Sequence, residues 1–349
     1  MWDMAARPRP THSTEHQVGI PTPIGDLSLG TTPASSHFVR SHGPSPRLDA
    51  EAFRLRVDGA VERPLELDLA NLRRRAERTL HVTLECAGHR RTEFSPGVRG
   101  LPWDVGALGH AEWTGTPLAG ILAEAGVAGD ACEVVLHGAD ADPFPGLDGD
   151  VPFARSIPVP KALDPDTLLV WDMAGEPLSA GHGAPLRAVV PGWYGVASVK
   201  WLTRVELVRS PFEGPYQALD YRLKLPDEDG PGEALTEMPV SALLLSPVAG
   251  DHVPTGRVRA SGIAWGGEGG PARVEVRVDV GPWRPARLLR PDGPWAPVHW
   301  RSPVDLEPGA HTITVRATDE AGNGMPDQLT WNERGYGNNA VHRVRVTAV

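Results

Sequence analysis

A cysteine that is followed at once by basic residues is the first feature of this sequence that could do chemistry. Cys86 precedes His89, Arg90 and Arg91 in a short segment that also contains a glycine. Positive neighbours favour the thiolate form of a cysteine, which binds metals and acts as a nucleophile. The segment therefore predicts a metal ligand or a catalytic nucleophile. Zinc is the less favoured metal, because no second cysteine stands at a ligand spacing.

The second cysteine, Cys132, has different surroundings. It stands in the run Ala131-Cys132-Glu133-Val134-Val135-Leu136, which is mostly apolar. A free cysteine in such a run is typically a small buried apolar residue, and we predict that role for Cys132. Two cysteines are too few for a disulfide scaffold.

The elements before Cys86 predict that it lies on a loop. Asp68 can cap a short helix that runs through Arg75, because its carboxylate can accept from the free amides of the first turn. The following residues 79–84, Thr-Leu-His-Val-Thr-Leu, have the composition of a strand. Cys86 then comes just past a strand end, where functional sites are usually built.

Composition predicts a β-rich α+β fold. The chain has 349 residues, enough for two domains, and 39 Gly and 36 Pro favour turns and short strands over long helices. Residues 226–232 are acidic and rich in turn formers, which predicts a linker. Beyond it, residues 273–279, 311–316 and 342–346 alternate polar and apolar side chains, which predicts an immunoglobulin-like β-sandwich. We therefore expect an extended N-terminal arm over residues 1–35, a domain of mixed helices and strands over 36–235 and the sandwich over 236–349.

Charge and hydropathy exclude several partners. The formal net charge of −10 argues against general binding to nucleic acid or to an anionic membrane surface. The sequence contains no run of about 18 to 20 apolar residues, so no membrane span is predicted. Residues 1–20 are polar and lack the apolar core of a signal peptide, so a cytoplasmic location is expected, with periplasmic or exported placement left open if the start is incomplete.

Several motifs in order resemble those of one enzyme family. Residues 83–91, Thr-Leu-Glu-Cys-Ala-Gly-His-Arg-Arg, resemble the molybdenum-binding signature of sulfite oxidases and assimilatory nitrate reductases. Further resemblances are found at residues 38–42, 182–187, 190–192, 198–202, 331–335 and 342–346. The similarity covers roughly residues 36–349 and identifies the chain as a member of the sulfite oxidase family. It implies a molybdopterin-binding domain followed by an immunoglobulin-like dimerisation domain.

The resemblance also implies which residues form the site. Cys86 would bind molybdenum that is carried by a single pyranopterin, the molybdopterin cofactor. The positions that match cofactor contacts of the family are Phe38, Val39, Arg40, Ser41, His42, Asp140, His182, Arg187, Ser198, Val199 and Lys200. Fixed cations and donors among them suit a cofactor that carries a phosphate.

The substrate pocket follows from the same resemblance. Arg40, Arg91 and Arg334 would form a cationic cage for an oxyanion, because guanidinium groups stay protonated and present paired donors. Trp103 would wall the cage, with an ordinary core aromatic as the alternative, and Tyr221 would reach the metal. The family usually has Asn where this chain has His89, a change that could add a titratable group beside the metal loop.

The implied activity is oxidation of sulfite to sulfate by oxygen-atom transfer. No Cys-x-x-Cys-His haem motif occurs in the sequence, so electrons are expected to pass to an external acceptor such as a cytochrome c, and the enzyme is expected to be a homodimer. Nitrate or sulfoxide reduction on the same scaffold is one alternative. A non-catalytic family member with a dead site is the other.

Overall fold

Short strands make up most of the structure. The computed structural model describes residues 12–13, 17–289 and 291–349. The strands of the first part are β1 (His12–Ser13), β2 (Val18–Ile20), β3 (Val39–Ser41), β4 (Leu55–Gly59), β5 (Leu65–Leu67), β6 (Arg78–Glu85), β7 (Leu108–Pro117), β8 (Glu133–Pro143), β9 (Asp150–Pro158), β10 (Leu168–Met173), β11 (Glu176–Pro177), β12 (Arg187–Val189), β13 (Leu202–Val208), β14 (Arg222–Leu223) and β15 (Glu233–Ala234). The predicted β-rich α+β fold is confirmed.

The helices are few and short. They are α1 (Leu69–Arg73), α2 (Leu118–Ala125), α3 (Val159–Ala162) and α4 (Pro215–Ala218), with 3-10 turns at Asp26–Ser28, Arg91–Glu93, Ala180–His182 and Gly195–Ala197. The backbone N–H of Asn71 donates to Asp68 Oδ1 at 2.6 Å, which confirms the predicted cap, although α1 ends before Arg75. No helix in the described part of the chain is long and apolar enough to cross a membrane.

Two five-stranded sheets form the frame of the first part. One has the order β11-β10-β7-β6, with β12 also paired to β10, and the other has the order β5-β4-β13-β8-β9. The apolar faces of these strands and of α2 enclose a core that includes Leu55, Ile121, Leu136 and Val205. Strands β6 and β9 thereby hold the residues at and beyond their ends in fixed places.

The second part is a sandwich of two sheets. Its strands are β16 (Ser241–Ser246), β17 (His252–Val253), β18 (Gly256–Trp265), β19 (Pro271–Val278), β20 (Arg284–Pro285), β21 (Arg287–Leu288), β22 (Val298–Leu306), β23 (Gly309–Asp319) and β24 (His342–Ala348). They form sheets of order β16-β18-β22-β21 and β17-β24-β23-β19-β20. Buried and exposed residues alternate along β22 and β24, as the period-two pattern predicts. The predicted sandwich is confirmed.

The predicted linker is the loop of a small hairpin. Strands β14 and β15 pair in antiparallel fashion on either side of residues 226–232, and Arg222 donates to the carbonyl of Gly232. Residues 1–11 and 14–16 of the predicted arm lie outside the described residues, and residues 17–35 include the fully buried Leu27. The domain boundaries stay a prediction.

Polar contacts join the two parts of the fold. Trp265 of the sandwich donates from Nε1 to Glu85 Oε2 at 2.9 Å, and Arg90 donates to the carbonyl of Ala340 at 2.7 Å. Both contacts reach the loop that carries Cys86. The sandwich therefore supports the geometry of that loop directly.

A buried histidine beside this interface predicts a pH dependence of stability. His110 has no exposed surface and pairs with His81 across 3.1 Å. Burial lowers the pKa of His110 to about 4, from an ordinary value near 6.5. Because the unfolded chain then binds more protons than the native state between these values, native stability falls as the pH drops from about 6.5 towards 4, by about 3 kcal/mol for this group.

We expect His110→Gln to flatten this pH dependence while lowering stability at pH 7.5, because the contact with His81 is weakened. Urea unfolding midpoints at pH 7.5, 6.0 and 5.0 measure both effects. His252→Gln, at an exposed position of the sandwich, is the control and should leave the slope unchanged. A His110 variant with the wild-type slope would contradict the assignment.

Candidate functional site

Cys86 lies on a tight turn directly after β6. Its backbone N–H donates to the carbonyl of Ala107 at 2.9 Å, and its carbonyl accepts from the N–H of His89 at 2.8 Å. The cysteine is buried, with 8% of its surface exposed, yet it lines two adjoining cavities. The predicted position past a strand end is confirmed, and the thiol faces the space between the cavities.

Two of the basic residues after Cys86 do not face the cavities. Arg90 is fully buried and forms two hydrogen bonds of 2.7 Å with the carboxylate of Glu93. His89 lies between Glu85 Oε1 at 2.8 Å and the carbonyl of Val105 at 3.0 Å. Both side chains therefore brace the loop, and the positive surroundings of the thiol come from other arginines.

The inner cleft is lined by residues from β3, the 180–200 segment and the end of β6. Every residue that was predicted to bind the cofactor lines it: Phe38, Val39, Arg40, Ser41, His42, Asp140, His182, Arg187, Ser198, Val199 and Lys200. Segments that are more than a hundred residues apart in the sequence thus meet in one cavity that ends at Cys86.

Two cations, the buried Arg187 and the partly buried Lys200, line the inner cleft. Arg187 donates to the carbonyls of His182 at 3.1 Å and Ser198 at 3.0 Å, and Lys200 donates to Ser41 Oγ at 2.6 Å. Among the described residues neither cation forms an ion pair with a carboxylate. Burial lowers the pKa of Arg187 to about 9 and that of Lys200 well below its ordinary value. A bound anionic group would relieve this unfavourable burial of charge.

Polar atoms without partners also face this cavity. His182 Nδ1 bonds to Ser179 Oγ at 2.9 Å, but its Nε2 is buried and has no hydrogen-bond partner in the described structure. Asp140 Oδ1 is also buried and has no hydrogen-bond partner among the described residues. Burial raises the pKa of Asp140 to about 6. Buried polar groups in a native protein are normally satisfied. These atoms therefore indicate a polar ligand.

The donor set fits a phosphate-bearing pyranopterin. The cations and the unpartnered ring nitrogen of His182 suit the phosphate and the polar ring edges, and the thiol of Cys86, which lines the same cavity, suits the metal. Soft sulfur ligands suit a redox metal, since they favour covalent binding. We expect Arg187, Lys200 and His182 to hold the organic part of the cofactor and Cys86 to bind the molybdenum.

The outer pocket opens from Cys86 towards solvent. Arg40, Arg91, Arg334 and Tyr221, all predicted for the substrate, line it, so the structure brings the three arginines of the predicted cage together. Among the described residues none of the three is ion-paired with a carboxylate. The hydroxyl of Tyr221 is hydrogen-bonded to His42 Nε2 across 2.8 Å. Burial holds the pKa of Tyr221 above its ordinary value, so the phenol keeps its proton.

Arg91 is the most firmly held of these cations. Its Nε donates to the carbonyl of Arg334 at 3.0 Å and its Nη1 to the carbonyl of Leu101 at 2.8 Å. The close approach of its guanidinium needs a glycine in the metal loop, because a Cβ at Gly88 would lie 2.2 Å from Arg91 Nη2. Gly88 of the Cys-Ala-Gly segment therefore leaves the space that the Arg91 guanidinium occupies.

The structure corrects the prediction for Cys132 and leaves the role of Trp103 a prediction. Trp103 is fully buried with Leu101 and Val82 and is not among the residues that line either cavity, so both the wall of the cage and the ordinary core aromatic stay open for it. Cys132 is exposed, contrary to the prediction of a buried residue. It stands one residue before β8 begins, where the apolar run has not yet entered the core.

Other pocket residues were missed by the sequence reasoning. His37 lines the inner cleft, and Tyr216 and Tyr336 line the outer pocket. Arg155, on β9, is fully buried beneath Tyr221. The segment around residues 331–335 did carry a signal for Tyr336, since it was already matched for Arg334. Nothing in the sequence around Arg155 pointed to the site.

Comparison with protein-family models matches both parts of the chain. The model described as oxidoreductase molybdopterin binding domain matches residues 42–216, and the Mo-co oxidoreductase dimerisation domain matches residues 232–349. The first match agrees with the cofactor that the inner cleft fits. The second supports assembly as a homodimer.

Curated relatives and a solved structure agree with these matches. Sulfite oxidase of Gallus gallus is 39% identical over 89% of this chain and 72% of the relative, and mitochondrial sulfite oxidase of Homo sapiens is 37% identical over 90% and 61%. Nitrate reductase [NADH] of Ulva prolifera is 32% identical over 90% of this chain and 40% of that enzyme. The sulfane dehydrogenase SoxCD of Paracoccus pantotrophus superposes with a TM-score of 0.85 at 29% identity, covering 95% of this chain and 85% of that one. The chain thus spans about three fifths of the human relative.

Proposed function

Because this chain belongs to the sulfite oxidase family of molybdopterin-dependent oxidoreductases, we propose that it oxidises sulfite to sulfate. The observation that carries the proposal is the cage of Arg40, Arg91 and Arg334 directly beside Cys86. Three guanidinium groups that have no carboxylate partner within the described part of the chain suit a small dianion. The balanced reaction converts sulfite and water into sulfate, two protons and two electrons.

The bound molybdenum centre supplies two-electron redox chemistry and the exchange of an oxygen atom with the substrate. The protein's own residues bind and orient the anion. Arg40, Arg91 and Arg334 hold the sulfite oxygens, which directs the sulfur lone pair towards the metal end of the pocket. Arg40 donates to His42 Nδ1 across 3.5 Å, so in this proposal His42 Nε2–H donates to the Tyr221 oxygen. The phenol of Tyr221, kept protonated by burial, is then free to donate a hydrogen bond to the reacting oxygen.

The electrons leave to an external carrier in this proposal. A one-electron protein such as a cytochrome c suits the need, because it can take the two electrons of sulfite oxidation one at a time. The predicted cytoplasmic location stays a prediction.

The test of this function is sulfite-dependent reduction of cytochrome c or ferricyanide by protein purified from a host that makes the cofactor. We expect saturable turnover that scales with molybdenum content. Absence of sulfite turnover by fully metallated protein would contradict the proposal. The second candidate activity would then be tested.

That second candidate is nitrate reduction, which the Ulva relative favours. Nitrate is also a small anion that the arginine cage could hold. Nitrate reduction by the dithionite-reduced protein, measured on the same preparation, separates the two activities. Metallated protein that turns over sulfite and leaves nitrate untouched supports the first proposal alone.

A further inference from the structure

A continuous stack of side chains crosses the wall of the outer pocket. The Arg155 guanidinium lies 5.7 Å from the ring centre of Tyr221, whose ring stacks on Tyr336 with centroids 5.5 Å apart and an interplanar angle of 11°. On the far side, the Arg91 guanidinium lies 5.3 Å from the ring centre of Tyr336. The order is therefore Arg155, Tyr221, Tyr336, Arg91. It joins a cation outside the pocket to a cation of the substrate cage.

Arg155 is unusual because it is a fully buried charge without a carboxylate partner among the described residues. It donates to the carbonyl of Tyr216 and, at 3.1 Å, to that of Leu235, while its Nε has no hydrogen-bond partner there. Burying a charge is costly unless the charge is well paired. Even though burial lowers the pKa of Arg155 to about 10, the group stays charged at neutral pH. A hydrophobic side chain would suit a purely structural role better.

The contacts of Arg155 enclose the segment that carries Tyr221. The carbonyls of residues 216 and 235 lie on either side of Tyr221 in the chain, and β9 provides a fixed base because it pairs with β8 through Arg155 and Leu136. Tyr221 has a φ of 53°, a left-handed conformation that is unfavourable for a non-glycine residue. Such a backbone needs surrounding contacts to hold it. The carbonyl of Tyr221 accepts from the N–H of Leu235 at 2.9 Å, and Arg155 in turn binds the carbonyl of Leu235.

We propose that Arg155 is a positioning residue: through the stack and the two carbonyl contacts it fixes the Tyr221 ring in the wall of the outer pocket, so that the hydroxyl, held by His42 Nε2 across 2.8 Å, stays within reach of the bound oxyanion. The inference rests on the proposed function for the identity of the anion. The polar and charged groups that face Arg155 are Tyr221, Asp220, Tyr336 and Arg222. Asp220 is itself held by the hydroxyl of Tyr336 at 2.8 Å and by the N–H of Tyr221 at 2.8 Å.

A double-mutant cycle on the full chain tests this. The variants are Arg155→Gln, Tyr221→Phe and the double variant, and sulfate is the probe, with its dissociation constant measured by calorimetry. We expect Arg155→Gln to weaken sulfate binding about fivefold when Tyr221 is present and less than about 1.5-fold when Phe stands there. The phenylalanine keeps the ring and removes only the hydroxyl, so a role through ring packing alone would give equal effects in both backgrounds.

Turnover provides the second measurement. In sulfite-active protein, Arg155→Gln is expected to lower kcat/KM about tenfold per bound molybdenum, again only when the Tyr221 hydroxyl is present. Arg204→Gln is the control, because Arg204 is a half-buried arginine that is ion-paired with Asp58 on the neighbouring strands. It should change neither quantity. If Arg155→Gln does not fold, Arg155→Lys in both backgrounds replaces it, with an expected twofold effect that depends on the hydroxyl in the same way.

Equal weakening by the Arg155 substitution in both backgrounds overturns the inference, as does wild-type protein that binds no sulfate at millimolar concentration. Because sulfate binding needs no turnover, the two proposals fail separately. Protein that shows the coupling but no sulfite oxidation supports the role of Arg155 and contradicts the proposed reaction.

Discussion

Replacement of Cys86 by serine is expected to lower sulfite turnover by at least about a thousandfold, which corresponds to about 4 kcal/mol in the activation barrier. The side chain would keep its place on the turn after β6. A serine hydroxyl, however, is far less acidic than a thiol and is a hard donor, so the soft anionic sulfur ligand of the metal would be lost. Turnover per bound molybdenum and the thiolate-to-metal absorption bands measure the effect.

The chain provides a matched control for this experiment. Cys132 is free and exposed, far from both cavities, and Cys132→Ser should keep wild-type activity and absorption. Full activity of Cys86→Ser at normal molybdenum content would contradict the assignment of Cys86 as a metal ligand. Equal losses in the two variants would point to a general effect of thiol replacement.

Replacement of Arg91 by methionine is expected to lower kcat/KM for sulfite about 100-fold, mainly through a higher KM. A charge-assisted contact contributes about 1.5–3 kcal/mol, and a buried side chain that is held by two carbonyls loses little entropy on binding the anion. Arg91→Lys should lose about tenfold, because the ammonium keeps the charge but cannot make the same paired contacts.

Values of kcat and KM for sulfite, measured at several ionic strengths, test this prediction. Arg209→Gln serves as the control, since Arg209 is a surface arginine that is ion-paired with Asp130 and lies outside both cavities. We expect it to change kcat/KM by less than about twofold. An Arg91→Met enzyme with an unchanged KM would contradict the cage.

The sequence predicted the elements that have local signals. The cap at Asp68, the strand before Cys86 and the alternating strands of the sandwich depend on neighbouring residues, and the structure confirms each of them. The grouping of the cofactor residues required the family resemblance, because segments so far apart carry no local sign that they meet.

The failures have physical causes that are non-local. Cys132 was predicted from an apolar run, but burial depends on where a strand enters the core, and the strand begins one residue later. Arg155 gives no signal at all, because a charged residue in a strand normally faces solvent and its partners are carbonyls of distant residues.

The contact between Arg90 and the carbonyls of Ala340 and Val341 joins the loop of Cys86 to a segment about 250 residues further along the chain. Arg334 and Tyr336 of the same segment line the outer pocket. A substitution that displaces this segment therefore disturbs the metal loop and the anion pocket together, although it lies in the other part of the fold.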